Sequence, residues 1–365
     1  MIEIKRGSLI RELYSRPGIQ AFMVQIQDNE EKCISYTEYL GELSPGDEVL
    51  LNTTAVSLEL GSGGYHFIIA KLNSRGHSMR AGGHIMKLRY TPMQIKVLSV
   101  EEQDSPYHEQ MQDADSLDKI PVLAGTLHSM LAPLCLELQC IKARIAYLMT
   151  DGAALPISFS NTVAELKKRN MLVGTVTVGN AFGGDLEAVN VYSGLLAARK
   201  VLNADVIIVS MGPGIVGTGT RWGFTGIEQG EILNAVDALD GIPIAVPRVS
   251  FADLRTRHYG LSHHTLTVLS RVCRIQAFVP LPMLEEVKMN YILGQMQAEK
   301  LLERHIVCVE DDESIINNIK NSALAISTMG RGVEEDKEFF LTLGAVARTT
   351  VRLINGEKAN RVYIV

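Results

Sequence analysis

The sequence predicts an α/β protein in two parts: a small N-terminal antiparallel β domain, barrel or sandwich, then a doubly wound, mostly parallel, three-layer α/β domain. Two observations carry this. Residues 1–100 alternate apolar and polar positions in short runs such as GIQAFMVQIQ and YHFIIAKL, separated by the turn signals SPGD and GSGG, which is strand and hairpin patterning. From residue 119 the rhythm changes to strand-like apolar runs divided by segments with apolar residues three and four apart, the pattern of βαβ units.

Taken in order, the strands of residues 1–100 lack any helical period, so their edges need closure or cover. Segment 101–118, EEQDSPYHEQMQDADSLD, is acidic and poor in aliphatic residues and is the expected linker. Strand runs then begin near Ile120, Arg144, Leu172, Asp205, Ile242, Gln276 and Ile306. Helices are expected in LEAVNVYSGLLAARKVL, TGIEQGEILNAVDALDG and MLEEVKMNYILGQMQAEKLLERH, the last two carrying helix-ending Gly241 and basic Arg304 and His305. Residues 119–365 therefore read as one Rossmann-like domain with right-handed crossovers, and the irregular spacing excludes a tandem repeat.

Composition narrows the function classes. The chain has 365 residues, 46% of them hydrophobic, and a net charge of −6, which argues against bulk nucleic-acid binding and against a polybasic membrane surface. No signal segment is visible, and no run approaches the roughly 18 apolar residues of a spanning helix, so a cytoplasmic protein without a membrane partner is expected. The five cysteines (Cys33, Cys135, Cys140, Cys273, Cys308) are scattered and form no CxxC pair. They read as small core residues within helices and strands rather than as disulfide or zinc ligands.

Ligands of open α/β sheets bind outside the carboxyl ends of the strands. Five strand-exit loops are rich in polar residues: GTLHSM (125–130), MTDGAALPIS (149–158), GNAFGGDLE (179–187), GPGIVGTGTRWGFTG (212–226) and PRVSFADLRTRHYGLSHH (247–264). The fourth holds Gly212, Gly214 and Gly217 in G-x-G-x-x-G register after a strand. The context spoils the dinucleotide fingerprint, because the following residues are too glycine-rich and β-branched to be helical before about Thr225. The next strand delivers Arg248 where a ribose-binding carboxylate belongs, and no Walker A loop exists, so NAD, FAD and P-loop chemistry are disfavoured. What remains is a run of backbone N–H groups and hydroxyls, Gly212 to Thr220 with Thr218 and Gly219, competent to cradle an anion. The alternative is close packing at a sheet switch point.

Asp151 precedes a glycine at a strand exit, as turn residues and metal ligands both do. Asp185 and Glu187 are expected in the first turn of a helix, where the dipole alone explains them. Carboxylates beside an anion cradle call for a bridging divalent cation of the Mg²⁺ or Mn²⁺ type. His263 and His264 follow Ser262, a good N-cap, and the helix dipole keeps their rings neutral for metal ligation or general-base work. Adjacent residues diverge by about 100° around a helix, so only one of the two is expected to face the pocket. His128 sits at another strand exit, while Ser129 lacks a nucleophile elbow.

Residues 61–100 carry Lys71, Arg75, Arg80, Lys87, Arg89 and Lys96 without an acidic residue, interleaved with His66, His77, His84, Tyr65, Phe67 and Tyr90. They read either as an anion-binding face or as alternate strand residues pointing to water.

The ordered motifs GGHIMKLRYTP, LHSML, MTDGAALP, GGDLEAVN, GPGIVGTGT and SHHTL together resemble a bacterial, mainly Gram-positive, full-length family of unknown function. That resemblance implies a bacterial cytoplasmic protein and no catalytic residue, cofactor or substrate.

The expected function is an enzyme acting on a small anionic, phosphorylated or nucleotide-like substrate by divalent-metal-assisted hydrolysis or transfer. Asp151, His128 and His264 are the expected catalytic residues, Asp151, Asp185 and His263 the expected metal ligands, and Arg221, Arg255 and Arg257 the charge-neutralising groups. A small-ligand sensor is the alternative, and nucleic-acid interaction through the basic β face a third. The apolar segment MLEEVKMNYILGQMQAEKLL suits a subunit interface as well as a core, which leaves homo-oligomerisation open.

Overall fold

The computed structural model describes residues 1–74, 76, 81–311 and 313–360, and the chain divides into two compact units, Met1–Val97 and Leu98–Val365.

In the first unit the alternating runs become β1 (Ile4–Arg16), β2 (Ile19–Ile26), β3 (Asn29–Tyr36), β4 (Glu48–Asn52) and β5 (Tyr65–Lys71), closed in the order β1-β2-β3-β5-β4. Closure leaves no edge, the solution the run of consecutive strands required. β3 and β5 run parallel and the other neighbours antiparallel. Inward residues Leu9, Phe22, Val24, Cys33, Val49, Leu51 and Ile68 fill the centre. A short hairpin, β6 (Ile85–Lys87) and β7 (Ile95–Val97), follows.

The second unit is built on eight parallel strands: β8 (Pro121–Ala124), β9 (Ile145–Thr150), β10 (Gly174–Thr177), β11 (Leu186–Glu187), β12 (Val206–Met211), β13 (Ile242–Ala245), then, after the small antiparallel ribbon β14 (Val249–Ser250) and β15 (Gly260–Leu261), β16 (Phe278–Pro282) and β17 (Ile306–Glu310). All seven expected strand runs are present. The spatial order is β11-β10-β9-β12-β8-β13-β16-β17. The chain steps from β8 outward through β9 and β10 to β11, returns to place β12 between β9 and β8, then walks to the other edge. The direction reverses around β12, so the loops leaving β8, β9, β12 and β13 meet at the topological switch point, where α/β sheets bind their ligands.

Strand alternation sorts the core into two layers. Val122, Ala124, Ala146, Leu148, Ile207 and Val209 pack with the helices Val191–Lys200, Glu228–Ala238 and Glu286–Ala298. Leu123, Tyr147, Met149, Val206 and Ile208 face Leu131–Leu138, Asn161–Lys168, Ser314–Asn321 and Lys337–Ile354. Both faces are covered, hence the near-continuous apolar strands.

Four expectations change. Segment 101–118 is not a free linker: it carries the short helix His108–Gln112, and Met111 and Leu117 are buried in the second unit's core. Asp185 and Glu187 do not open a helix, because Leu186 and Glu187 add an edge strand to β10 and the helix starts later, capped by Asn190. The long C-terminal helical pattern breaks at Lys300, in a left-handed conformation, into Glu286–Ala298 and Leu301–Arg304. Four cysteines are buried, whereas Cys140 is exposed on a 3₁₀ turn. Among the described residues no helix is long and apolar enough to cross a membrane.

Candidate functional site

After β13 the chain makes the two-residue ladder of β14 against β15, pairing Val249 with Leu261 and Ser250 with Gly260. Between them lies the 3₁₀ turn Thr256–His258, and just beyond them Ser262 caps the helix His263–Thr267 by accepting the His264 N–H at 3.3 Å. The same Ser262 hydroxyl lies 2.8 Å from Nδ1 of His258. Folding the ribbon back therefore places three imidazoles side by side. Ring centroids are 5.0 Å apart for His258 with either neighbour and 4.3 Å for His263 with His264. One ring nitrogen from each lies within 4.8 Å of the others. A five-residue π-helical turn, Val268–Val272, follows directly, an element found often beside functional sites.

These rings are sheltered and under-bonded. His258 and His264 are only 3% and 5% exposed. Nε2 of His263 and Nδ1 of His264 are buried with no hydrogen-bond partner among the described residues. Burial, followed by the charges of neighbouring Arg248 and Arg255, pushes His258 down to about 3. Burial and then the adjacent histidines and Arg248 and Arg257 push His264 to about 3 as well. His263 is lowered by burial and next by Arg257. All three are neutral at physiological pH, the form that donates a lone pair to a metal. Only one of His263 and His264 was expected to face a pocket; in the structure both contribute a ring nitrogen to the cluster that His258 completes.

The charges around the cluster are mostly spent on one another. Arg248 reaches Asp253 at 3.2 Å with both side chains buried, and Arg255 grips the same carboxylate through Nε and Nη2 at 2.9 and 2.7 Å. Those cations hold Asp253 well below the usual carboxylate range, the Arg255 hydrogen bond first. Arg331 pairs with Asp336, which also accepts from the Ser250 hydroxyl at 2.8 Å. Arg257 differs: it is exposed and makes no hydrogen bond or ion pair among the described residues.

The glycine-rich stretch is a projecting hairpin. Gly217 pairs with Phe224, the Thr218 N–H donates to the Gly223 carbonyl at 2.8 Å, the Thr218 and Thr220 hydroxyls meet at 2.9 Å, and Thr220 accepts the Gly223 N–H. Thr218 and Thr220, expected to help cradle an anion, thus bond within the hairpin, while Gly212 and Gly214 form the loop leading in and Arg221 and Trp222 are exposed at the tip. Helix Glu228–Ala238 begins only after a 3₁₀ turn at Thr225–Ile227. The hairpin leans on the histidines: Phe224 stacks flat on His264 with centroids 4.0 Å apart, and a β-carbon on Gly217 would lie 3.4 Å from His264 Nε2.

At the exit of β9 stands a carboxyl pair. Asp151 accepts from the Asn180 N–H at 2.9 Å, packed so close to Gly179, φ +64, that a β-carbon there would lie on its Oδ2. Glu228 accepts from the Thr150 hydroxyl at 2.6 Å against the bare Cα of Gly152. Burial, then the charges of Asp151 and Glu231, push Glu228 up to about 7, outweighing the Thr150 hydrogen bond.

The remaining sequence candidates lie elsewhere. His128 is enclosed by Tyr147 and Ser160 at 3.1 and 2.7 Å, and burial pushes it down to about 4. Asp185 is held by the N–H and hydroxyl of Thr175 and by Lys167. Asp151 and Asp185 thus occupy separate hydrogen-bonded settings, and neither joins His263 in the histidine cluster. In the first unit Lys71 pairs with Asp47, His66 with Glu31, Lys96 reaches the Gly82 carbonyl, and Lys87 is 2% exposed. Arg89 is exposed, and Arg75, His77 and Arg80 lie outside the described residues. His258 was among the polar residues of the rim loops but was given no role, and Glu228 was not singled out. The only hint of the first was its place in a loop with two more histidines, and the second resembles any helix-start carboxylate.

No curated protein matches the chain. A family model described as a protein of unknown function, DUF3866, matches residues 32–347, and the chain belongs to that family.

Proposed function

We propose that the second unit is a metal-dependent enzyme acting on a small anionic, phosphorylated or nucleotide-like molecule by hydrolysis or group transfer, with His258, His263 and His264 as the metal ligands. The observation that carries this reading is the convergence of three neutral imidazoles, two with orphaned buried nitrogens, beside the switch-point loops. A buried polar atom without a partner costs roughly 1–3 kcal/mol, and an ion accepting the lone pairs removes that cost. The Ser262 hydroxyl lies within hydrogen-bond distance of His258 Nδ1; in the tautomer whose Nδ1–H donates to it, Nε2 keeps its lone pair for a metal. Three imidazoles with no protein carboxylate favour zinc-class ions over the Mg²⁺ or Mn²⁺ that carboxylate ligands would select. Tetrahedral bonds of about 2.0–2.1 Å separate nitrogens by roughly 3.4 Å, so binding draws the rings together. Three protein ligands leave one position open, where such a metal supplies an activated water or polarises an oxygen. Glu228, poised to exchange a proton near neutrality, is the acid–base candidate at the base of the same hairpin.

The test is calorimetric titration of the full chain with zinc, then turnover assays on phosphate mono- and diesters with and without metal. One zinc per chain, lost in a His263→Ala/His264→Ala variant, with metal-dependent turnover is the expected result. Absence of zinc binding overturns the reading, and binding without turnover on any substrate makes the unit a sensor.

A further inference from the structure

Around the histidines the protein has three cations, Arg248, Arg255 and Arg331, and two carboxylates, Asp253 and Asp336, already bound to one another. None of that negative charge is left for a metal. Three neutral imidazoles leave a divalent ion with its full charge, and the balance must come from what binds there. Arg257 adds one more positive charge and spends it on nothing. It belongs to the same 3₁₀ turn as His258, and its charge acts on both His263 and His264. Its guanidinium stands against the hairpin at Gly219, where a β-carbon would lie 3.7 Å from Cζ and 3.8 Å from Nη1. Gly219 has φ +77, so a side chain there is disfavoured and the guanidinium meets bare backbone. An exposed planar fork beside a cationic site matches the two oxygens of an oxyanion.

We propose that Arg257 is the anion-reading residue of this site, so that the substrate carries an oxyanion, phosphate or carboxylate, bridging the metal's open position and the Arg257 guanidinium. This rests on the metal-centre reading above. It assigns to one side chain the charge recognition that the sequence spread over Arg221, Arg255 and Arg257: Arg255 is committed to Asp253, and Arg221 sits at the far tip of the hairpin.

The test titrates the zinc-loaded full chain with inorganic phosphate and, separately, with acetate, comparing the unaltered protein with Arg257→Gln and Arg257→Lys. Zinc stoichiometry is expected to be unchanged in both variants. Arg257→Gln is expected to weaken anion binding about tenfold, with Arg257→Lys, which keeps the charge and loses the fork, recovering part of it. The anion bound more tightly by the unaltered chain identifies the group. Equal affinity in Arg257→Gln overturns the assignment while leaving the metal centre standing. If the unaltered chain takes up no zinc, the metal reading fails by itself. Phosphate and acetate titration of the zinc-free chain then decides Arg257: a loss in the Gln variant upholds it, and no difference or no binding overturns it.

Discussion

Two groups of enclosed histidines lie in strand-exit loops of the same sheet, and they are bonded in opposite ways. His128 gives both ring nitrogens to neighbours, the Tyr147 hydroxyl and the Ser160 hydroxyl, while Tyr147 passes its own proton to the Ser210 and Met211 carbonyls and Ser160 accepts the N–H of Val163. Every group in that chain is satisfied. His264 is buried and His263 half-buried, yet each keeps a buried nitrogen with no partner among the described residues. Burial lowers the proton affinity of all of them, so a perturbed pKa does not tell a structural histidine from a ligand. Convergence does: one ring nitrogen from each of His258, His263 and His264 lies within 4.8 Å of the others, whereas the ring nitrogens of His128 meet the hydroxyls of Tyr147 and Ser160.

The largest effect that sharpens this contrast is on metal affinity. His263→Ala/His264→Ala removes two of three ligands and is expected to weaken zinc binding at least a thousandfold in competition titrations with a chelating dye, about 4 kcal/mol. The melting temperature in the absence of metal should also fall, because the buried His264 ring and its stack with Phe224 are lost. The converse change, His128→Ala, leaves a cavity and strands the Tyr147 and Ser160 hydroxyls. Chemical denaturation should show a loss of about 3 kcal/mol with zinc stoichiometry unaltered; a variant that keeps its stability and loses zinc would reverse the assignment of the two clusters.

The carboxyl pair between these extremes yields a pH-dependent effect. Glu228 has a folded-state value of about 7 against an ordinary 4.5. Its folded pKa is raised, so its favourable contribution is complete below 4.5 and lost as pH climbs through 7. Glu228→Gln mimics the protonated form and can keep the Thr150 hydrogen bond. It should therefore raise stability by about 2 kcal/mol at pH 8, less than the full shift because the carboxyl is partly solvated, and by nothing at pH 4. Melting curves across that range check it, and a benefit that grows toward acid would contradict the sign. The smallest effect belongs to Phe224→Leu, which deletes the stack on His264. A stability loss of about 1 kcal/mol and a severalfold drop in zinc affinity are expected, the second by calorimetry.

The difference in bonding also marks what was legible in the sequence. The eight-strand sheet was largely visible because strands buried on both faces write themselves as unbroken apolar runs, and β12, VIIVSM, is the clearest. β11 was not, since two residues carry no period and Asp185 and Glu187 mimic a helix start. The rim was readable as a set of loops, and His263 and His264 were picked from it by their N-cap serine. Their partner His258 was not, because its approach depends on the β14–β15 ladder, two residues long on each side. Glu228 was invisible: its raised pKa comes from burial first and then from the charge of Asp151, brought to it by a different strand. Pairings such as Ser250 with Asp336, 86 residues apart, are tertiary facts that no local pattern encodes.

The hairpin that leans on the histidines has a practical consequence. Trp222 is the single tryptophan of the chain and is 55% exposed. It is hydrogen-bonded through its carbonyl to the N–H of Phe224, the residue stacked on His264. The protein thus carries its own optical reporter two residues from the ring that a metal would move. Emission excited at the red edge of tryptophan absorption, where the chain's 11 tyrosines absorb little, and followed on mixing with zinc or phosphate, would read occupancy and its rate without a label.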